Sequence, residues 1–235
     1  MQLPMLKLSI DEIIENIVTE EKFSAVCDDE SFSITIDDYL PYYCVAVHHG
    51  GNLRADLRDK ISLSKFERWY EEDPLTGLFV SSLPIHIIVH DSRYEYDLNR
   101  EPETNIYDEA WGKKVWKTPL TEDEKAVSLA KHDNFYRMIQ ALTHKIEQIY
   151  KNCLIYDIHS YNYKRIEGDT PLFNIGSENS PEKYREVIKH WVDELNHIHL
   201  NGIKVKAEEN KVFYGRGYLK RYIQDNFSNS LVLAT

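Results

Sequence analysis

A long amphipathic helix that runs directly into a buried strand is the feature that most restricts what this chain can fold into. After Pro119, Thr121 and Glu124 form a capping box, each side chain satisfying a free backbone donor at the start of a helix. Phe135, Ile139, Leu142, Ile146 and Ile149 follow at helical spacing, so one face must lie on a core until the pattern ends near Lys151. Leu154 to Ile158 then reads as a buried strand ending at His159. Tyr42 to Val47 is a second short apolar run. It stops abruptly at His48-His49-Gly50-Gly51, as a buried strand does when it feeds a loop at its carboxyl end.

The remaining segments alternate in the same way. Ser9 with Glu12 caps a helix that continues through about Val18, and Phe32, Ile34 and Ile36 alternate as a half-buried strand. Strands are expected from Ile85 to His90 and, by alternation of charged and apolar residues, from Arg93 to Leu98. The helical segment around Phe66 to Tyr70 precedes an acidic cluster. Ser180-Pro181 opens a helix carried by Tyr184, Ile188, Trp191, Leu195 and Ile198, with Gly202 at the expected stop, and strands from Ile203 to Val205 and Leu231 to Ala234 follow. With no repeat, low-complexity tract or Gly/Ser linker, residues 1–235 read as a single domain. The expected fold is α/β, a three-layer sandwich whose central mixed, largely parallel sheet is flanked by helices. Ligands bind such sheets beyond the carboxyl ends of the strands, where His48 and His159 both fall.

A formal net charge of −11 argues against a nucleic-acid partner, because displacing counterions from phosphates requires a basic face. It leaves room for a small anionic substrate, since one or two arginines set the potential inside a cleft. No apolar run approaches bilayer length, and Met1 to Ile10 lacks the features of a secretory signal, so no membrane partner and a cytoplasmic location are expected. Cys27, Cys44 and Cys153 are too few and too scattered for a disulfide framework or a CxxC metal site. No nucleophile elbow, phosphate loop or dinucleotide fingerprint is present.

Four short stretches carry chemistry. In His48-His49-Gly50-Gly51, an imidazole at a strand exit suits zinc, although a polar turn with an incidental histidine has the same composition. A carboxylate from Glu71-Glu72-Asp73-Pro74 would complete a His, carboxylate, His set, while a solvated acidic face is the plainer alternative. In Ser92 to Arg100, Asn99 beside Arg100 suits forked capture of a carboxylate; an arginine paired with Asp97 or a backbone carbonyl would be purely structural. In Asp157-Ile158-His159-Ser160, the histidine can serve as ligand while the aspartate orients a histidine from behind, or it can be a satisfied core histidine.

HHGG, EEDP, SRYEYDLNR, DIHS and Tyr214-Gly215-Arg216-Gly217-Tyr218, in this order, resemble the motifs of the N-formylglutamate amidohydrolase family. The resemblance spans Val45 to Tyr218, and SRYEYDLNR is its most specific portion. That family belongs to the carboxypeptidase-like zinc hydrolases, with which Ile158-His159-Ser160-Tyr161 and Asn99-Arg100 also agree. The resemblance implies a phosphorylase/hydrolase-like fold and a zinc cofactor held by His48, Glu72 and His159. It implies that Asn99 and Arg100 hold a substrate carboxylate, with Arg216 as a further anion contact. Arg93 would polarise the scissile carbonyl or hold a second carboxylate. The implied substrate is N-formylglutamate or a similar N-acyl amino acid. The alternatives are a metallocarboxypeptidase or desuccinylase-like hydrolase and a non-catalytic anion-binding relative. Three departures stand out. His49 intervenes where the family commonly has serine and glycine after the histidine, and Glu71 and Asp73 flank Glu72 within one residue. The carboxylate general base is expected on a late strand, and the sequence stops in a strand pattern at Ser230 to Thr235, so a truncated catalytic domain is expected, with that base beyond Thr235.

Overall fold

The computed structural model describes residues 3–162 and 165–235. In chain order its elements are β1 (Met5–Leu8), α1 (Ile10–Val18), β2 (Phe23–Cys27), β3 (Phe32–Ile36), β4 (Tyr42–Ala46), α2 (Lys65–Trp69), α3 (Thr76–Val80) and β5 (Ile85–Val89). They continue with β6 (Glu109–Ala110), β7 (Lys113–Lys114), α4 (Glu122–Tyr150), β8 (Cys153–Asp157), β9 (Phe173–Ile175), α5 (Arg185–Asn196), β10 (Ala207–Glu209), α6 (Tyr218–Asn226) and β11 (Ser230–Ala234).

One seven-stranded sheet runs in the order β1-β2-β3-β5-β4-β8-β11. The pairings of β3 with β2 and β5 are antiparallel and the rest are parallel, which makes the expected mixed, largely parallel sheet. The chain leaves β4 for β5 on one side, then crosses by α4 to β8 on the other. Strand order therefore reverses at β4, which opens a crevice beyond its carboxyl end. Helices α1, α4 and α6 cover one face: Ile13, Ile17, Phe135, Ile139, Leu142, Leu219 and Ile223 pack on Ile34, Val45, Ile87, Ile155 and Val232. The opposite face is closed by Val80 of α3 against Cys44 and Ala46, and by Ile188 and Leu195 of α5 against Leu231 and Leu233. Facing the other way on β2 and β3, Ser24 and Thr35 hydrogen bond to each other at 2.8 Å.

The long helix starts where the capping box dictates. The Thr121 side chain accepts from the Glu124 N–H, Glu124 reaches back to the Thr121 N–H, and Glu122, Asp123 and Glu124 complement the positive end of the helix dipole. It ends at Lys151, which is in the left-handed region (φ 66°).

The sequence patterns and the structure part in several places. Arg93 to Leu98 is a turn rather than a strand, because Tyr94, Glu95, Tyr96, Asp97 and Leu98 are all buried, the acidic ones through ion pairs rather than exposure. Ile203 to Val205 forms no strand; β10 lies just beyond and pairs with β9. A 3-10 turn over Glu182–Tyr184 precedes α5, which stops at Asn196. No described helix is long and apolar enough to cross a membrane.

Two outcomes follow from these contacts. Thr121→Ala removes the α4 cap and should cost about 1 kcal/mol in a urea titration. Lys220 of α6 is 2% exposed and donates from Nζ to the Glu178 carbonyl (2.6 Å). Burial pushes it down to about 8 against the opposing pull of Glu178 and Glu209. Because the folded value lies below that of a free lysine, the charged form is penalised on folding. That penalty is full below about pH 8 and lifts as pH rises toward about 10.4. Measured against Lys220→Met, the wild type should therefore gain stability between pH 8 and pH 10.

Candidate functional site

Parallel β4 and β8 are neighbours with Val45 opposite Asp157, so the residues that follow them emerge side by side. His48 leaves β4 buried, at 1% exposure. The turn after it is possible because Gly50 lies against the backbone of His90: a Cβ there would sit 2.0 Å from that carbonyl. His49 turns away from the crevice, and its Nδ1 accepts from the Gly77 N–H (3.2 Å) under α3. His159 leaves β8 and is tied by its N–H to the Thr235 carbonyl (2.8 Å) at the end of β11.

A third group is held by the β4 exit itself, since the Asp73 N–H donates to the His48 carbonyl at 2.8 Å. Asp73 Oδ2 lies 3.2 Å from His159 Nδ1 and 3.5 Å from His48 Nδ1, and Ser160 Oγ donates to Asp73 Oδ1 (2.8 Å). One donor atom from each of His48, Asp73 and His159 falls within 4.8 Å of the others. The carboxylate in this cluster is thus Asp73 rather than Glu72. Glu72 faces the other side of the turn, where it accepts from Arg68 Nη1 (3.2 Å) and Ser92 Oγ and touches Gly51. Burial raises its carboxyl, opposed by Ser92 and Arg68.

Each histidine has a second carboxylate behind it. His48 Nε2 donates to Asp97 Oδ1 at 2.8 Å, which leaves Nδ1 as the lone-pair nitrogen; that Nδ1 is buried and has no hydrogen-bond partner among the described residues. His159 Nε2 lies 3.0 Å from Asp157 Oδ2. Asp97 is itself fully buried and accepts from Arg93 Nε (3.1 Å), Arg93 Nη2 (2.7 Å), the Asn99 N–H (2.8 Å) and the Tyr107 hydroxyl. Burial alone would raise its carboxyl, but the Arg93 charge and the bond from His48 outweigh burial and hold it well below the usual range. Burial likewise opposes charge on His159, yet Asp157 and Asp73 prevail and raise it to about 10. Asp73 is held low by the neighbouring rings of His159 and His48, against burial. An unpartnered imidazole nitrogen facing a carboxylate and a second imidazole, each ring backed by a carboxylate, has the donor set of a hydrolytic zinc site with room for a fourth ligand.

Asn99 and Arg100 form the opposite wall. Their backbone is fixed from three sides: the Tyr136 hydroxyl donates to the Leu98 carbonyl, the Tyr218 N–H to that of Asn99 (3.1 Å), and His132 Nε2 to that of Arg100 (3.1 Å). Asn99 Oδ1 is buried without a partner among the described residues and presses on Gly217, where a Cβ would fall 1.8 Å away. Gly215 (φ 70°) is equally close to Gly176. Arg100 is exposed and, among the described residues, donates from Nε to the Tyr107 hydroxyl at 3.3 Å. Arg93 is instead committed to Asp97 and to the Glu71 carbonyl (3.1 Å), and Arg216 forms a forked pair with Glu178. All four groups border one cleft of about 600 Å³ with His48, Asp73 and His159, as do Ala234 and Thr235 of β11. Tyr161 and Tyr214 of the quoted motifs join Tyr70, Trp111 and Phe213 in the aromatic part of its wall; nothing in the pattern singles out the last three, which come from loops and a helix end without periodicity.

A family model described as N-formylglutamate amidohydrolase matches residues 40–231. Among solved structures, the chain is similar to an N-formylglutamate amidohydrolase from Ralstonia eutropha JMP134, with a TM-score of 0.64 and 16% identity over 87% of this chain and 84% of that one. A gene product from Agrobacterium tumefaciens is similar with a TM-score of 0.62 and 14% identity over the same shares, 87% and 84%. These identities speak for the fold. A comparison with curated proteins finds no match.

The alternative carboxylates are separable by metal content. After equilibration with zinc and elemental analysis, Asp73→Ala should lose about tenfold or more in affinity, as should Asp97→Asn, which loosens His48 from behind. Glu72→Gln should keep its metal.

Proposed function

The chain belongs to the N-formylglutamate amidohydrolase family, and from that premise we propose that it is a zinc-dependent amidohydrolase cleaving the linear amide bond of a small N-acyl amino acid such as N-formyl-L-glutamate. The observation that carries this reading is the convergence of His48, Asp73 and His159 at the carboxyl ends of adjacent β4 and β8. The metal would be held by His48 Nδ1, Asp73 and His159 Nδ1. When bound, zinc supplies a Lewis acid that polarises a carbonyl and eases loss of a proton from water.

The chain's own residues set the geometry. Arg100 and Asn99 take the substrate carboxylate, the guanidinium by a forked contact and the amide beside it, so the scissile bond lies across the cleft toward the histidines. Holding the amide in one pose supplies much of the rate. Arg93 acts through Asp97: its charge keeps that carboxylate ionised, and Asp97 fixes the tautomer of His48. Arg93 is thus a positioning residue in this reading, and Arg216, paired with Glu178, shapes the rim. Hydrolysis breaks the amide C–N bond; the water oxygen ends on the acyl carbon, giving formate from a formyl group, and the amino acid leaves as the free amine. The same reading puts the enzyme in the cytoplasm, where the buried, unpaired thiols of Cys27, Cys44 and Cys153 stay reduced.

The test is formate release by the zinc-loaded chain. Arg100→Lys should retain metal and raise KM for carboxylate substrates about tenfold with little change in kcat, because lysine cannot make the forked contact. Bound zinc and bound carboxylate with no formate released from any N-formyl amino acid would favour the non-catalytic relative instead.

A further inference from the structure

Among the described residues, five lysine and arginine side chains border the cleft: Arg93, Arg100, Arg165, Arg216 and Lys220. They differ in what it costs to redirect them. Arg93 is bound to Asp97 and to the Glu71 carbonyl, and its guanidinium lies 4.8 Å from the centre of the Trp111 ring. Asp97 is 0% exposed, so turning Arg93 away would strand a buried carboxylate. Arg165 lies on the Tyr70 ring at 3.3 Å and faces Glu71 at 3.8 Å, on the segment that leads into Asp73. Lys220 is buried, with Nζ on the Glu178 carbonyl. Arg100 donates from Nε to the Tyr107 hydroxyl, and its two terminal nitrogens have no partner among the described residues.

Arg216 stands apart from the others. Its forked pair with Glu178 is open to water, the two side chains being 66% and 30% exposed. An ion pair this exposed contributes little net free energy, so it opens readily. The backbone on each side is fixed: the Glu178 N–H donates to the Tyr214 carbonyl (3.0 Å), and a Cβ on Gly176 would meet the Gly215 nitrogen at 2.4 Å. Opening the pair therefore moves side chains alone. Glu178 keeps a countercharge when it opens, because the buried Lys220 ammonium acts on the same carboxylate.

The place of Arg216 in the cleft also matters. Its neighbour Gly217 lies against the Asn99 side chain, and the Tyr218 N–H donates to the Asn99 carbonyl (3.1 Å). Arg100 and Arg216 thus rise from adjoining segments, an arrangement that suits two carboxylates of one small molecule.

We propose that Arg216 and Glu178 form an exchangeable pair: Glu178 holds the guanidinium until the side-chain carboxylate of an acylated dicarboxylic amino acid displaces it. Arg216 then takes that second carboxylate by a forked contact, while Arg100 and Asn99 hold the first. Glu178 is the competitor that sets how strongly a dicarboxylic substrate is preferred. This rests on the amidohydrolase reading above.

The zinc-loaded chain is assayed with N-formyl-L-glutamate and with N-formyl-L-glutamine, which has the same shape and lacks the second charge. The quantity read is the ratio of the two kcat/KM values, expected to favour the glutamate compound about tenfold or more. Arg216→Gln should lower that ratio about tenfold, and Glu178→Gln, which removes the competitor, should raise it about threefold. In the double variant the ratio should equal that of Arg216→Gln alone, since without the guanidinium there is nothing to compete for. The inference is overturned if Arg216→Gln leaves the ratio unchanged, if Glu178→Gln fails to raise it, or if Glu178→Gln still raises it in the double variant. If neither compound is hydrolysed by any of the four chains, the amidohydrolase reading fails, and calorimetry on the same chains decides the exchange. The same pattern in the ratio of dissociation constants supports it; a ratio that is constant across the chains, or no binding of either compound, overturns it.

Discussion

Parallel pairing of β4 with β8 is the constraint on which the rest of this molecule depends. The two strands come from distant parts of the chain, and only their register, Tyr43 opposite Ile155 and Val45 opposite Asp157, brings the histidines that follow them to a ring separation of 5.0 Å. A slip by one residue would turn every side chain of β8 to the other face and separate the rings. Burial prevents the slip: Ile155 packs among Val45, Leu142 and Val232 in the main core, while Tyr156 meets Trp191 on the far side at 4.7 Å. The α4 helix that spans the sheet between β5 and β8 serves the same end, since it supplies the crossover that parallel neighbours require.

Around that pairing the charges are arranged in series. Arg93 neutralises Asp97, Asp97 orients His48, and His48 faces Asp73, which His159 shares with Asp157 behind it. None of these buried ions would be tolerable singly, and together each has a partner of opposite sign or a hydrogen bond. A second network on the other side of the same turn, Asp91 and Glu95 with Lys131 and Arg54, anchors the segment to α4. The turn from Ser92 to Arg100 thus acquires rigidity from ions, where a strand would have drawn it from backbone pairing.

That difference explains what the sequence could and could not convey. The capping boxes of α1 and α4 and the apolar runs of β4 and β8 announce themselves, because local chemistry and solvent avoidance act over a few neighbouring residues. His48 and His159 were legible for the same reason, as polar residues at the ends of apolar runs. The turn carrying Arg93 and Asp97 mimics a strand, since charged and apolar residues alternate there although all of them from Tyr94 to Leu98 are buried. Alternation reports exposure only when charge means solvent, and here charge means a buried partner. The choice between Glu72 and Asp73 depends on a single backbone bond from residue 73 to the His48 carbonyl, which no local pattern encodes. The short β1, β2 and β9 strands and the nine-residue helix α6 span too few residues to stand out by pattern, and the hold of α6 on Asn99 is hidden with them.

The three-sided clamp on the backbone of Leu98 to Arg100 has a consequence for how a ligand is received. Tyr136 and His132 belong to α4 and Tyr218 to α6, so the segment that presents Asn99 and Arg100 is bolted to the body of the protein rather than suspended as a loop. The entropy of ordering that segment is therefore surrendered when the chain folds, and the Arg100 side chain is what would remain to be stilled by the proposed anion. In the reading proposed above, such preorganisation would convert folding stability into affinity and make capture of a carboxylate a matter of one swinging arm against a fixed wall.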